Sequence, residues 1–106
     1  METKLIYVTT SDVHEAKKIG RLLVEKRLAA CVNILGAIES MFWWEDAVQE
    51  AGEVAFIAKT TRERVPELIA AVKANHSYEC PCVVTLSIEE GNPDFLKWIT
   101  DETSPS

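Results

Sequence analysis

The sequence predicts one α+β domain: a four-stranded antiparallel sheet, two helices packed on it, and a short C-terminal helix. Two observations carry this. Four stretches rich in strand-forming residues alternate with two stretches of helical apolar spacing, in the order β-α-β-β-α-β. The chain has 106 residues, 47% hydrophobic and 26% charged, which suits one core spanning residues 1–106 and no second domain.

Residues 4–10 (KLIYVTT) form the first predicted strand. Asp12 followed by Glu15 is a helix-start signature, because a short acceptor before the first turn can receive one of its free N–H groups. Ala16, Ile19, Gly20 and Leu23 then share one helix face, and the helix is expected to end near Arg27. Residues 30–35 (ACVNIL) read as the second strand, with a continuation through 38–42 left open. Between Phe42 and Gly52 the pattern breaks into WWEDAVQEAG, read as the connection of a long hairpin.

Residues 53–60 (EVAFIAKT) are the third strand. Val65, Leu68, Ile69 and Val72 repeat the helical spacing, with Pro66 in the first turn, where its missing N–H costs nothing. A loop is expected over 75–81, a fourth strand over 82–88 (CVVTLSI), and a last short helix over 94–101 after Gly91-Asn92-Pro93. The tail from Thr103 to Ser106 is expected to fray. This order is the split βαβ, or ferredoxin-like, arrangement.

A sheet with one face in water alternates apolar and polar residues. Residues 5–8 (LIYV) and 54–58 (VAFIA) are apolar on both faces. Something must cover the second face, and another copy of the chain is the economical answer. The alternative is the last helix folded across the sheet, which offers only Phe95, Leu96, Trp98 and Ile99.

Acidic residues number 17 against 11 Lys plus Arg, for a net charge of −6. With no basic run to neutralise phosphate, no nucleic-acid partner is expected. No stretch of about 18 apolar residues suggests a membrane span, and no basic leader precedes an apolar core as in a secretory signal. Three cysteines, Cys31, Cys80 and Cys82, make an odd set with two only one residue apart, which suits reduced thiols and a cytoplasmic location.

Residues 28–34 (LAACVNI), Ile38-Glu39-Ser40, Trp44, and Glu53 six residues before Lys59-Thr60 resemble the CutA divalent-cation-tolerance family in order and spacing. His76-Ser77-Tyr78-Glu79 with Pro81, and Gly91 through residues 95–99 (FLKWI), extend the likeness over almost the whole chain. The resemblance implies a ferredoxin-like subunit of an intertwined homotrimer, similar in architecture to PII signalling proteins. It also implies a role in tolerance of divalent metals, chiefly copper.

The candidate metal ligands are His76, Cys80 and Cys82. His76 stands in the family's His-x-Tyr-x-x-Pro segment, and imidazole is a common ligand of copper and zinc. Of the other two positions proposed to bind copper in relatives, this chain has Asn75 and Val8, so only His76 transfers. Fixing its loop by hydrogen bonds is the equal alternative. Cys80-Pro81-Cys82 offers two thiols to a soft ion, against the alternative of small buried hydrophobes, which is also the reading of Cys31. A second constellation, Glu53, Lys59, Trp44 and Tyr78, suggests either an intersubunit cleft for a small anionic ligand or an intersubunit Lys–Glu pair. Trp43 and Trp44 read as interface anchors. Phe42 and Asp46 replace the Tyr and Gly common in relatives.

No G-x-S-x-G, C-x-x-C, phosphate-binding glycine loop or H-E-x-x-H occurs, and no catalytic residue is expected. The favoured expectation is a trimeric, non-enzymatic protein of metal homeostasis that binds copper or another divalent cation weakly. A PII-like regulatory module and a stable scaffold are the rivals.

Overall fold

Strand β1 (Thr3–Thr10) lies inside the sheet because both of its edges are paired, one with β3 (Ala47–Thr61) and the other with β4 (Val83–Ile88). Strand β2 (Cys31–Trp44) pairs with the far side of β3. All pairings are antiparallel and the order is β2-β3-β1-β4, the expected ferredoxin-like topology. The computed structural model describes residues 2–104.

Helix α1 (Val13–Glu25) starts as predicted: Asp12 Oδ1 accepts the Glu15 N–H at 2.8 Å. Ala16, Ile19, Gly20 and Leu23 are its buried face. It stops two residues early, where Arg27 turns into the left-handed region at φ +57°. Helix α2 (Val65–Asn75) follows a short 3-10 turn at Arg62–Arg64, and buries Leu68 and Val72. These helices pack on Ile6, Val8, Phe56 and Ala58, and the main core lies between. The approach of α1 to β2 is close enough that a Cβ on Gly20 would meet Val32 Cγ1 at 2.9 Å.

Three expectations are corrected. The stretch between Phe42 and Gly52 is not a connection but two paired strand ends. β2 and β3 pair from Cys31 opposite Lys59 out to Trp44 opposite Ala47, and only Glu45 and Asp46 turn the chain, at φ +51° and +62°. Positive φ at both centres is type I′ geometry, usually announced by Asn-Gly. Neither residue gives that signal, and because residues 41–50 are exposed on both faces, with Met41, Phe42, Trp43, Trp44 and Val48 among them, no apolar–polar alternation marks the strand ends. The bulge between Ile34 and Gly36, with Gly36 at φ +109°, interrupts the apolar pattern of β2. Because β1 ends at Thr10 opposite Val54, the rest of the hairpin projects as a free arm. The radius of gyration is accordingly 14.3 Å, against about 13 Å for a compact chain of this length.

The last helix, α3 (Pro93–Thr103), has 11 residues, as many as α2. Asn92 caps it by accepting the Asp94 N–H at 3.0 Å. It packs on β3 and β1 with Ile99 and Thr103 buried. Its Phe95 ring stands 5.6 Å from Lys59 Nζ, and Lys59 alternates with Phe56 and Ala58 on the opposite side of β3. The third helix therefore covers one end of the second face, more than its four apolar residues suggested. Thr103 is buried rather than frayed, while Pro105 and Ser106 lie outside the described residues. The remainder of that face stays open, with Val84 51% and Leu86 56% exposed, and the arm shows Met41 at 71% and Trp43 at 74%.

Candidate functional site

Strand alternation sends Tyr7 and Thr9 of β1 and Glu53 of β3 to the second face, beyond the reach of α3. The projecting arm adds Phe42, Trp44 and Gln49 on one side. The loop between α2 and β4 adds Tyr78, Glu79, Cys80 and Cys82 on the other. Together they bound a cleft of about 770 Å³, within the range of small-ligand sites. Glu53, Glu79, Cys80 and Cys82 are among its lining residues, and no Lys or Arg is.

The loop is held from behind. His76 is fully enclosed: its Nδ1 accepts the Tyr78 N–H at 3.0 Å and its Nε2 meets the Thr9 carbonyl oxygen at 2.8 Å. Both ring nitrogens are thus engaged by backbone groups of β1 and the loop. Glu15 Oε2 accepts the Ser77 N–H at 2.8 Å, while Oε1 accepts the Ser11 N–H at 2.9 Å. Burial pushes the Glu15 carboxyl up, but the hydrogen bonds from Ser11 and Ser77 outweigh it and hold the pKa at about 2. One carboxylate thus ties the start of α1 to the cleft loop.

Tyr78 packs its ring 4.7 Å from His76 and donates its hydroxyl to Glu53 Oε2 at 2.9 Å. Burial raises its pKa to about 12, aided by the bond to Glu53 and by the negative charge of Glu53, Glu15 and Asp12.

Of the residues picked from sequence, Trp44, Glu53, Tyr78, Cys80 and Cys82 meet in this cleft. His76 takes the loop-fixing role of its two readings; coordination would require releasing Thr9 or the Tyr78 amide. Lys59 stands apart, six residues along β3 from Glu53 and so roughly 20 Å away. It donates to Asn33 Oδ1 at 2.8 Å instead. The expected meeting of Lys59 with Tyr78 does not occur within one chain, because the arm and the α3 end lie at opposite ends of β3. Cys31 pairs with Lys59 across the strands and also lies away from the cleft. Among the described residues no group of three or more His, Cys, Asp and Glu side chains is placed to hold a metal ion. All three thiols are unpaired.

Sequence reasoning missed Glu79, Tyr7, Phe42 and Gln49 as cleft walls and Glu15 as the tie. The period-2 alignment of Glu53 with Ala51 and Gln49 was the available signal for the arm, obscured by its reading as a connection.

The profile of a protein family described as CutA1 divalent ion tolerance protein matches residues 4–102. The divalent-cation tolerance protein CutA of Archaeoglobus fulgidus is 49% identical over 98 residues, covering 92% of this chain and 94% of that protein. Protein CutA of Mus musculus is 41% identical over 97 residues, covering 92% of this chain but only 55% of its own length. The chain thus spans little more than half of the mouse relative. Among solved structures, CutA1 from Oryza sativa superposes with a TM-score of 0.96 at 38% identity, covering 100% of this chain and 97% of that one. The periplasmic divalent cation tolerance protein CutA from Archaeoglobus fulgidus gives 0.93 at 44% identity, covering 96% and 99%.

Proposed function

The chain belongs to the CutA1 divalent ion tolerance family, and from that premise we propose that it captures divalent cations weakly, copper among them, as a non-enzymatic homotrimer of metal homeostasis. The observation that carries this reading is the cleft: Glu53 and Glu79 line it beside Cys80 and Cys82, with no cationic residue among its walls. Such a lining favours a cation and opposes an anion. The PII-like alternative, a small anion held by Lys59 and Tyr78, finds no support in a cleft of this sign from which Lys59 is absent.

The trimer reading is supported by what one chain leaves open. β2 and β4 are sheet edges, the arm segment of β3 has no partner on one side, and large apolar side chains are exposed beside them. Long apolar edges of this kind are normally covered. A cytoplasmic location is supported by three unpaired thiols. Fractionation that recovers the chain outside the cytoplasm, where its archaeal relative is described, overturns that part.

Zinc titration by calorimetry of the wild type and a Glu53→Gln/Glu79→Gln variant tests the cation reading. A severalfold loss of affinity in the variant is expected; equal affinity overturns it. Light scattering should return three times the chain mass, and a monomer would remove the trimer.

A further inference from the structure

From donor number and softness we infer that Cys80 and Cys82 form a dithiol site for monovalent copper, a soft closed-shell ion, at the rim of the cleft. Cys80 and Cys82 both line that cleft, and neither is in a disulfide. They flank Pro81 in a segment outside any helix, just before β4. Cys80 closes the bend of residues 77–80, and a separation of two residues keeps the two Cα atoms within about 7 Å, close enough for both sulfurs to turn onto one ion. Proline between them fixes one backbone torsion, so less freedom is lost when both sulfurs hold one ion.

The segment is also anchored. The Thr9 N–H donates to the Cys82 carbonyl oxygen at 3.4 Å, and the Tyr78 N–H donates to His76 at 3.0 Å, pinning both sides of the pair to β1 and the buried imidazole. Donor count then selects the ion. A tight zinc site takes four ligands and a calcium or magnesium site six or more; among the described residues no group of three or more His, Cys, Asp and Glu side chains is placed to hold an ion, so divalent cations are held only weakly. Thiolates favour monovalent copper, which is satisfied by two of them. Binding is ligand exchange without electron transfer: two Cys–SH and one Cu⁺ give a bis-thiolate cuprous centre of charge −1 and two released protons. Glu53 and Glu79 on the same cleft attract the incoming cation.

This names the ion for one part of the cleft and rests on the metal-handling reading for its biological role. The test is anaerobic competition between the reduced protein and the cuprous complex of bicinchoninate, followed by the chelator's colour. The wild type is expected to withdraw one copper per chain. Cys80→Ser and Cys82→Ser should each lose at least tenfold in affinity, and Cys31→Ser should lose none. Alkylation of the folded wild type with iodoacetamide should abolish withdrawal without any substitution. Copper left wholly with the chelator, or equal loss in Cys31→Ser, overturns the assignment. Zinc titration of Cys82→Ser separates the two readings: retained weak zinc binding with lost cuprous binding supports both. Zinc binding that disregards the carboxylate substitutions, beside cuprous binding lost with either thiol, refutes the divalent reading alone.

Discussion

Replacing Glu15 by Gln should expose how the cleft loop is held. The side chain is 12% exposed and accepts backbone N–H groups from both Ser11 and Ser77. Its pKa falls from 4.5 to about 2 despite the opposing effect of burial. The linkage value of that shift is about 3 kcal/mol, reduced to about 2 kcal/mol once water at the rim screens the charge. A lowered carboxyl pKa contributes stability that is fully present above 4.5 and is lost as pH falls through about 2. Glu15→Gln keeps one acceptor oxygen but not the charge, so it should be about 2 kcal/mol less stable at pH 7, by the same linkage. The gap should hold at pH 5.5, narrow below 4.5 and close near 2. Urea denaturation of both proteins across this range, at one protein concentration because assembly contributes to apparent stability, measures it. Equal stability at pH 7 would refute the tie. An undiminished gap at pH 2.5 would show that side-chain shape, not charge, holds the loop.

Three further outcomes follow from other parts of the structure. Absorbance titration should show one of the two tyrosines ionising at about 12, and Tyr78→Phe should remove that transition while costing about 1 kcal/mol at neutral pH. The neutral phenol is the stabilised form, so its contribution should vanish as pH rises through 12. Gly20→Ala places a Cβ 2.9 Å from Val32 Cγ1, and a loss of about 1–2 kcal/mol by urea denaturation is expected; an unchanged midpoint would show that Val32 yields freely. Exchanging Glu45-Asp46 for Asn-Gly should raise the unfolding free energy by about 0.5–1 kcal/mol, because both centres already hold positive φ; a fall would contradict the turn geometry.

The helices and the central strands were readable because burial writes a period. Ala16, Ile19, Gly20 and Leu23 appear at helical spacing and are the buried face of α1, with Asp12 capping it. The arm was not readable, since residues 41–50 are solvent-facing in the single chain and no core imposes alternation on them. Its turn holds Glu45 at positive φ, against local preference, with no glycine beside it to announce the turn. The cleft was half legible: Tyr78, Glu53, Trp44, Cys80 and Cys82 came from resemblance and residue chemistry. Gln49 and Glu79 depend on how the arm and loop face each other. His76 shows the limit most clearly, because a ligand and a loop tie need the same residue in the same place. Only its two backbone partners, Thr9 and Tyr78, distinguish them.

The most direct test is where a bound cation sits. Anomalous scattering from crystals soaked with cadmium, a thiophilic divalent ion, locates it without reference to affinity. A peak in the cleft between Trp44 and Tyr78, within reach of Glu79, Cys80 or Cys82, is the predicted result. A peak on the His76 imidazole, with the Thr9 carbonyl oxygen released, would contradict the account.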